Sequence, residues 1–469
     1  LGVCFVDAAS GQVSLGQCHD DAQKTALRTL LAQLRPEEIL VHGSAVSRET
    51  YALLRRSVPE GLFNPLEDGC FCDKPALAKQ IAQGEYFAEL AEAEGAPEGQ
   101  ARWPAALREA ATCKPALALR AFGGAASYLQ RLMLDRQILS LGHFTLWQPY
   151  AAPASSPDAA AEEGPTLVLD AKALENLEVF ENSSDRGAKG TLYTILDKCA
   201  SPVGKRELRK WLCAPLGRVA DIEERQASVA ALIEDKELRA TLQSSFRRLP
   251  DLERLLARVH GYSTAQAANS ATHYQDVGKA RLNELVKTLE GFEAVGKALR
   301  LAAPAAAGLA ERAPALASAL TVGDGFPDLA ELLRGFRDTF DWNKARAEGR
   351  VVPNPGQDQV YDEARRAVKA CEASLHAIKE EWRDELGDKS IEFWSAAGSP
   401  TEPFQLEVKQ ATLDRRGTPE EFTQMSSKKG FRRFWTDGLK QGVKKYLAAK
   451  EHVEACLNDG ARRLYARFT

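Results

Sequence analysis

The chain has 469 residues, and its 61 Lys and Arg against 65 Asp and Glu leave a net charge of -4. This balance excludes a protein that coats nucleic acid through general positive charge, so any contact with a polyanion must come from a local patch. The length predicts two to four domains. Nine cysteines, an odd number, disfavour a complete disulfide framework and favour a reducing, intracellular compartment.

Residues 1–150 show alternating strand and helix patterns. "GVCFVD" and "QVSLGQ" predict two strands joined by a turn at Ser10 and Gly11, and a leucine-rich helix then leads to the buried-strand run "EILVHG". Because strands and helices alternate to about residue 145, we predict an α/β domain with a partly parallel sheet.

Residues 151–165, "AAPASSPDAAAEEGP", have the composition of a linker. From residue 166 helical patterns dominate, and we predict an all-α core that extends into long helices over residues 166–388. An alanine-rich run near residue 300 is expected to be helix broken by Pro304 and Pro314.

Two apolar repeats predict a pair of long antiparallel helices. The first repeat consists of Tyr361, Ala364, Val368, Cys371, Leu375, Ile378, Trp382 and Leu386. The second consists of Leu439, Val443, Tyr446, Val453, Leu457, Leu464 and Phe468. Between them lie short alternating segments, so we predict a small antiparallel β domain over residues 389–437 and a returning helix over 438–469.

The segment "SSKKGFRRFWTDGLKQGVKK", residues 426–445, is the most basic part of this β domain. Four of its cations are expected to contact phosphate oxygens of DNA: Lys428, Lys429, Arg432 and Arg433. The alternative is a solvated basic face that protects a sheet edge from unwanted pairing. Phe431 and Trp435, on one side of the strand, are expected to pack into the core of the sheet.

Three other residue sets have weaker claims to a function. Lys205, Arg206, Arg209 and Lys210 follow an amphipathic helix, which indicates the surface of the helical core. Asp7 ends the first strand, where ribonuclease-H-like nucleases keep their first metal-binding carboxylate. The next central strand, "EILVHG", ends in His42 and Gly43 without a carboxylate, so we expect Asp7 to be a turn or cap residue rather than a metal ligand. Cys70 and Cys72 lack further metal ligands nearby, and no nucleophile motif occurs.

The run "LDAKALENLEVFENSSDRGAKGTLYTILDKCASPVGKRELRKWLCAPL", residues 169–216, resembles the core domain of MutS-type DNA mismatch-recognition proteins. "LPDLERLLARVH", residues 249–260, continues this resemblance. "GFPDLAELLRGFRDTFDWNKARAEGRVVPNPGQDQVYDEA" and "SSKKGFRRFWT" are similar to the eukaryotic sixth-homologue branch, which supplies a subunit of the heterodimer MutS alpha. The resemblance covers nearly the whole chain.

This resemblance implies a ribonuclease-H-like connector domain at the start, a core with lever helices, and a clamp domain that holds the DNA backbone. It also implies mismatched duplex DNA and the second MutS homologue as partners, and the nucleus as the location. The family's ATPase domain binds ATP and Mg²⁺ through a G-x-x-x-x-G-K-[ST] loop, which this sequence lacks. We therefore expect a fragment that is not itself an enzyme and holds no cofactor.

A different class of protein also fits the pattern. This alternative is a coiled-coil and α/β scaffold that binds only other proteins and requires no phosphate contact. The two hypotheses differ in salt dependence, because phosphate contacts predict a steep loss of duplex binding as ionic strength rises.

Overall fold

The computed structural model describes residues 1–88, 90–97, 99–147, 166–167, 169–263, 275–394 and 403–468. These residues fall into two compact units, the first within residues 1–270 and 283–333, the second within residues 271–282 and 334–468. The predicted linker, residues 151–165, lies outside the described residues. Among the described helices, none combines the length and apolar character that a bilayer crossing requires.

The first unit begins with small sheets surrounded by helices. Its strands are β1 (Gly2–Asp7), β2 (Gln12–Gln17), β3 (Glu38–His42), β4 (Leu62–Leu66) and β5 (Phe144–Leu146). Its helices up to residue 147 are α1 (Thr25–Leu34), α2 (Arg48–Ser57), α3 (Lys74–Gly84), α4 (Ala105–Ala110), α5 (Leu117–Arg131) and α6 (Asp135–Leu139).

The predicted hairpin at the start of the chain is confirmed. Strands β1 and β2 are antiparallel from Gly2 opposite Gln17 to Asp7 opposite Gln12, and Gly11 takes a left-handed φ of 73° in the turn. Parallel pairing joins β2 to β5 and, separately, β3 to β4. In the described residues the partly parallel pairing thus occurs as two small sheets, with Leu119 and Phe122 of α5 fully buried in the core.

Helices make up most of the rest of the described chain before residue 350. They are α7 (Ala171–Asn176), α8 (Leu192–Leu196), α9 (Pro202–Cys213), α10 (Val219–Glu234), α11 (Lys236–Phe246), α12 (Leu252–Ser263), α13 (Gln275–Leu309), α14 (Pro314–Leu320), α15 (Ala330–Thr339) and α16 (Trp342–Glu348). Pro314 begins α14, but Pro304 lies inside α13, so the predicted break at Pro304 is wrong. Burial of Ala302 and Ala306 in a cluster with residues of α10 and α11 outweighs the hydrogen bond that a proline cannot donate.

Two long helices dominate the second unit, α17 (Gln359–Leu386) and α19 (Asp437–Phe468). They run antiparallel, because Tyr361 clusters with Leu457 at one end while Leu375 lies against Gly442 further along. A Cβ atom at position 442 would come within 2.6 Å of Leu375 Cδ2, so glycine permits this close approach. The repeat predicted from the sequence is therefore a helix–helix seam.

A four-stranded antiparallel sheet connects the two long helices. Its parts are β6 (Glu392–Trp394), β7 (Gln405–Lys409), the short helix α18 (Gln410–Arg416), β8 (Thr423–Lys428) and β9 (Phe431–Trp435). The strand order is β6-β7-β9-β8. Leu406, Val408 and Phe434 on one face are buried in the same cluster as Leu375 and Leu439 of the helices, so sheet and helices share a core.

We expect Leu375→Ala to lower the free energy of unfolding by about 2–5 kcal/mol, because it opens a cavity in the shared core of helices and sheet. Val360→Ala, at a half-exposed position of the same helix, should change this free energy by no more than about 0.5 kcal/mol. Denaturant titration of both variants measures the difference. Equal effects would show that the seam is not the main support of this unit.

Candidate nucleic-acid interface

The hairpin between β8 and β9 presents two lysines to solvent. Lys428 ends β8 opposite Phe431, so Lys429 and Gly430 form a two-residue turn, and Gly430 has a left-handed φ of 84°. Both lysine side chains are exposed, and neither makes a hydrogen bond or ion pair with another described residue. Two cations are therefore available at the end of the sheet.

A third lysine, which the sequence analysis missed, lies beside this turn. Lys409 ends β7 opposite Phe431, and the backbone N–H of Gln410 donates to the Gly430 carbonyl at 3.0 Å. Lys409 is exposed, as are Lys428 and Lys429. Only the pairing of β7 with β9 reveals this position, because Lys409 is distant from the basic segment along the chain. We call Lys409, Lys428, Lys429 and Arg432 the basic tip.

The two arginines of β9 point to opposite faces of the sheet. Arg432 pairs with Val408 and Ser427, is half-buried, and makes no ion pair with a described residue. Arg433 has a side chain only 9% exposed, and its Nε donates to Glu407 Oε2 at 2.8 Å. The guanidinium of Arg433 is thus buried and already paired, so it offers less accessible surface to a phosphate than the two lysines of the turn.

The aromatic residues of β9 also differ from the prediction. Phe434, rather than Phe431, is the ring buried in the shared core, where it lies 4.9 Å from the ring of Phe422. Trp435 packs at the margin of that core and donates its indole N–H to the Pro403 carbonyl at 3.2 Å. Phe431 is half-buried between Lys409 and Lys428, on the opposite face of the strand from Phe434.

The cations of α9 serve the structure of the first unit. Arg206 donates to both carboxylate oxygens of Asp251 at 2.8 Å and also contacts Glu253, and these acids raise its pKa above the ordinary arginine value. The Arg209 guanidinium lies 4.2 Å from the centre of the Phe180 ring. Lys205 pairs with Asp197 at 3.5 Å. These contacts agree with the predicted position at the surface of the helical core.

Asp7 is a turn residue. Its carboxylate accepts the backbone N–H of Ala9 at 2.9 Å and that of Ser10 at 3.4 Å.

Cys70 and Cys72 are half-buried thiols. Within the described ranges no three His, Cys, Asp or Glu side chains converge as metal ligands, and the 469 residues contain no G-x-x-x-x-G-K-[ST] loop.

Asp388 attaches α18, which follows Lys409, to the end of α17. Its carboxylate accepts hydrogen bonds from the hydroxyl groups of Ser390 and Thr412. These bonds stabilise the ionised form and lower the pKa of Asp388 to about 2 from 3.8. Since Thr412 lies in α18, the charge helps to hold the chain next to the basic tip.

The depressed pKa of Asp388 predicts a pH-dependent effect of Asp388→Asn. The charge stabilises the fold fully above pH 3.8, and this contribution is lost as the pH falls through about 2. We therefore expect the variant to be less stable than the original protein near pH 6, with the difference narrowing as the pH is lowered. Unfolding free energies of the variant and the original protein, measured from near pH 6 down to about pH 2, test this expectation. A difference between the two proteins that does not change with pH would contradict it.

Comparison with family models identifies two matching regions. The model described as MutS domain III matches residues 172–397, and the model described as MutS family domain IV matches residues 356–452. The second match includes all of α17, the whole described sheet and the first half of α19, so the basic tip lies within it.

Individual relatives agree with the family models. DNA mismatch repair protein MSH6 of Arabidopsis thaliana is 35% identical over all of this chain and 35% of its own length. DNA mismatch repair protein Msh6 of Homo sapiens is 30% identical over all of this chain and 36% of its own length. DNA mismatch repair protein MutS of Chlorobaculum tepidum is 25% identical over 96% of this chain and 44% of its own length.

The chain spans about a third of the length of the MSH6 relatives, and the similarity extends over all 469 residues. Family models and full-chain relatives point to the same group of proteins. The chain belongs to the MutS family of DNA mismatch repair proteins.

Proposed function

We propose that the four-stranded sheet is a clamp that grips the backbone of duplex DNA through its basic tip. The observation that carries this proposal is the convergence of Lys409, Lys428 and Lys429 on one two-residue turn. Lys428 and Lys429 make no ion pair with a described residue, and Lys409 is close enough to Asp388 to help lower the pKa of that carboxyl. The three exposed ammonium groups form a surface complementary to phosphates. Arg432 adds a fourth cation on the other face of β9.

The grip is independent of base sequence. Lysine is a compact charge without the planar fork that recognises a base edge, and contacts to phosphate carry no sequence information. Phe431 is half-buried beside the lysines, so no fully exposed ring at this turn is offered for stacking on bases. A protein that inspects DNA for mismatches needs such a non-specific hold, because errors occur in any sequence.

The domain layout proposed from the sequence assigns a role to each part of the chain. Residues 1–150 serve as the connector domain, with the ribonuclease-H-like fold as its proposed fold, and residues 166–388 form the core and the first lever helix. Residues 389–437 form the clamp, and residues 438–469 return as the second lever helix. The antiparallel packing of α17 against α19 supports a stiff lever, which can transmit a shift at its far end to the clamp.

The proposed setting is a heterodimer with the second MutS homologue, acting on mismatched duplex DNA in the nucleus. It rests on the family and on the similarity to MSH6 proteins. Coupling to an ATPase domain belongs to the same proposal, and no residue of this chain is assigned to nucleotide chemistry.

Removing two lysines of the basic tip tests the proposal. In the full-length protein, Lys428→Ala with Lys429→Ala should weaken duplex binding about equally for different sequences. The slope of log affinity against log salt concentration should fall in magnitude by about 1.8, since each lost phosphate contact contributes about 0.9. Fluorescence anisotropy at several salt concentrations measures both quantities.

A matched control removes two positive charges elsewhere. Lys297→Ala with Arg300→Ala changes exposed cations of α13, in the first unit, and should leave the salt slope unchanged. If the protein is instead a scaffold that binds only other proteins, then neither the original protein nor either variant will show salt-dependent binding of duplex DNA. Equal slopes for the tip variant and the original protein would refute the assignment of these lysines.

A further inference from the structure

A row of charged side chains crosses the clamp sheet on the face opposite the shared core. Antiparallel register places Glu392 of β6 directly opposite Glu407 of β7, and Glu407 directly opposite Arg433 of β9. Two carboxylates in directly opposed positions repel each other and weaken a sheet. The sheet therefore depends on cations that neutralise both of them.

Different elements supply these cations. Arg433 pairs with Glu407 at 2.8 Å. Lys379 Nζ donates to Glu392 Oε2 at 2.9 Å, and Arg383 also contacts Glu392. The hydrogen bond from Lys379 and the charge of Arg383 lower the pKa of the Glu392 carboxyl below its usual range. Lys379 and Arg383 belong to α17. The row thus extends from α17 through β6 and β7 to β9, the strand that follows Lys428 and Lys429.

Arg433 also binds β6 through an aromatic contact. Its guanidinium carbon lies 3.6 Å from the centre of the Trp394 ring, while its Nε is hydrogen-bonded to Glu407. One side chain therefore joins β6, β7 and β9. A lysine at this position would keep the charge but lose the flat stacking surface and the directed N–H.

We infer that Arg433 is a positioning residue for DNA binding: through Glu407 and Trp394 it holds the β8–β9 hairpin in the orientation that presents Lys428 and Lys429 to phosphates. This inference rests on the proposed function. Arg433 pairs with Ser426 of β8 as well, so its position is tied to both strands of the hairpin. The two lysines lie only four and five residues before Arg433, at the free end of that hairpin.

Glu407→Gln separates positioning from direct charge effects. Removing a negative charge near the proposed DNA surface should by itself tighten binding, because it lowers repulsion of phosphates. If Arg433 positions the hairpin through Glu407, the same substitution should weaken binding roughly three- to tenfold. The two explanations predict opposite signs. Affinity is measured per folded molecule in the full-length protein, with thermal unfolding recorded in parallel.

Arg433→Lys is the second variant, and it keeps the positive charge. We expect it to weaken duplex binding to a similar extent as Glu407→Gln, and the salt slope of both variants should stay within about 0.5 of the original, because no phosphate contact is lost. Glu420→Gln is the matched control. It removes one acid from an exposed position next to β8 and should bind duplex as tightly as the original protein or more tightly.

Several outcomes would overturn the inference. Full affinity in Arg433→Lys, combined with a salt slope reduced by about 0.9 in Arg433→Ala, would make Arg433 a phosphate contact. Lower thermal stability with unchanged affinity in Glu407→Gln would make the row purely structural. If the double lysine variant lowers the slope while Glu407→Gln has no effect, only this inference fails. If the double lysine variant has no effect either, the proposed function fails with it.

Discussion

The packing of α17 against α19 is the constraint on which the second unit depends. The sheet is inserted between the end of one helix and the start of the other, and its buried face has no core of its own apart from theirs. Leu375 lies at the centre of this arrangement, fully buried against Gly442 and in the same cluster as Phe434 of the sheet. A shift of either helix must therefore change the packing beneath the sheet, since close-packed interiors deform little.

The opposite face of the sheet is organised by charge. Glu392 and Glu407 would repel each other across the strands, and the arrangement is favourable only because Lys379, Arg383 and Arg433 neutralise them. Lys379 is nearly buried, so loss of its partner would leave a cation with little access to water. The apolar face sets where the sheet lies on the helices, and the charged row joins β6, β7 and β9 to one another.

Features of regular period were predictable from the sequence. The helical seam repeats every three to four residues, and the intervening segments alternate, which distinguishes helix from strand without knowledge of contacts. Pro304 shows the limit of local rules, because burial of the neighbouring alanines keeps the helix intact. Alternation in "GFRRFW" places neighbouring residues on opposite faces, but it does not say which face is buried. The acid that pairs with Arg433 lies 26 residues earlier, and only the fold brings it near.

The same limitation explains why the basic tip differs from the four cations chosen from the sequence. Arg433 is predicted to contact DNA because it lies in a dense basic segment. Adjacent residues of a strand point to opposite faces of the sheet, so Arg432 and Arg433 cannot both lie on the same surface. Lys409 is separated from that segment along the chain and enters the tip through strand pairing alone. The proposed DNA surface thus contains Lys409 in place of Arg433. Because lysine lacks the planar fork of arginine, this surface is less able to recognise bases. Such a surface suits a mismatch repair protein, in which the hold on DNA must not depend on the sequence that is held.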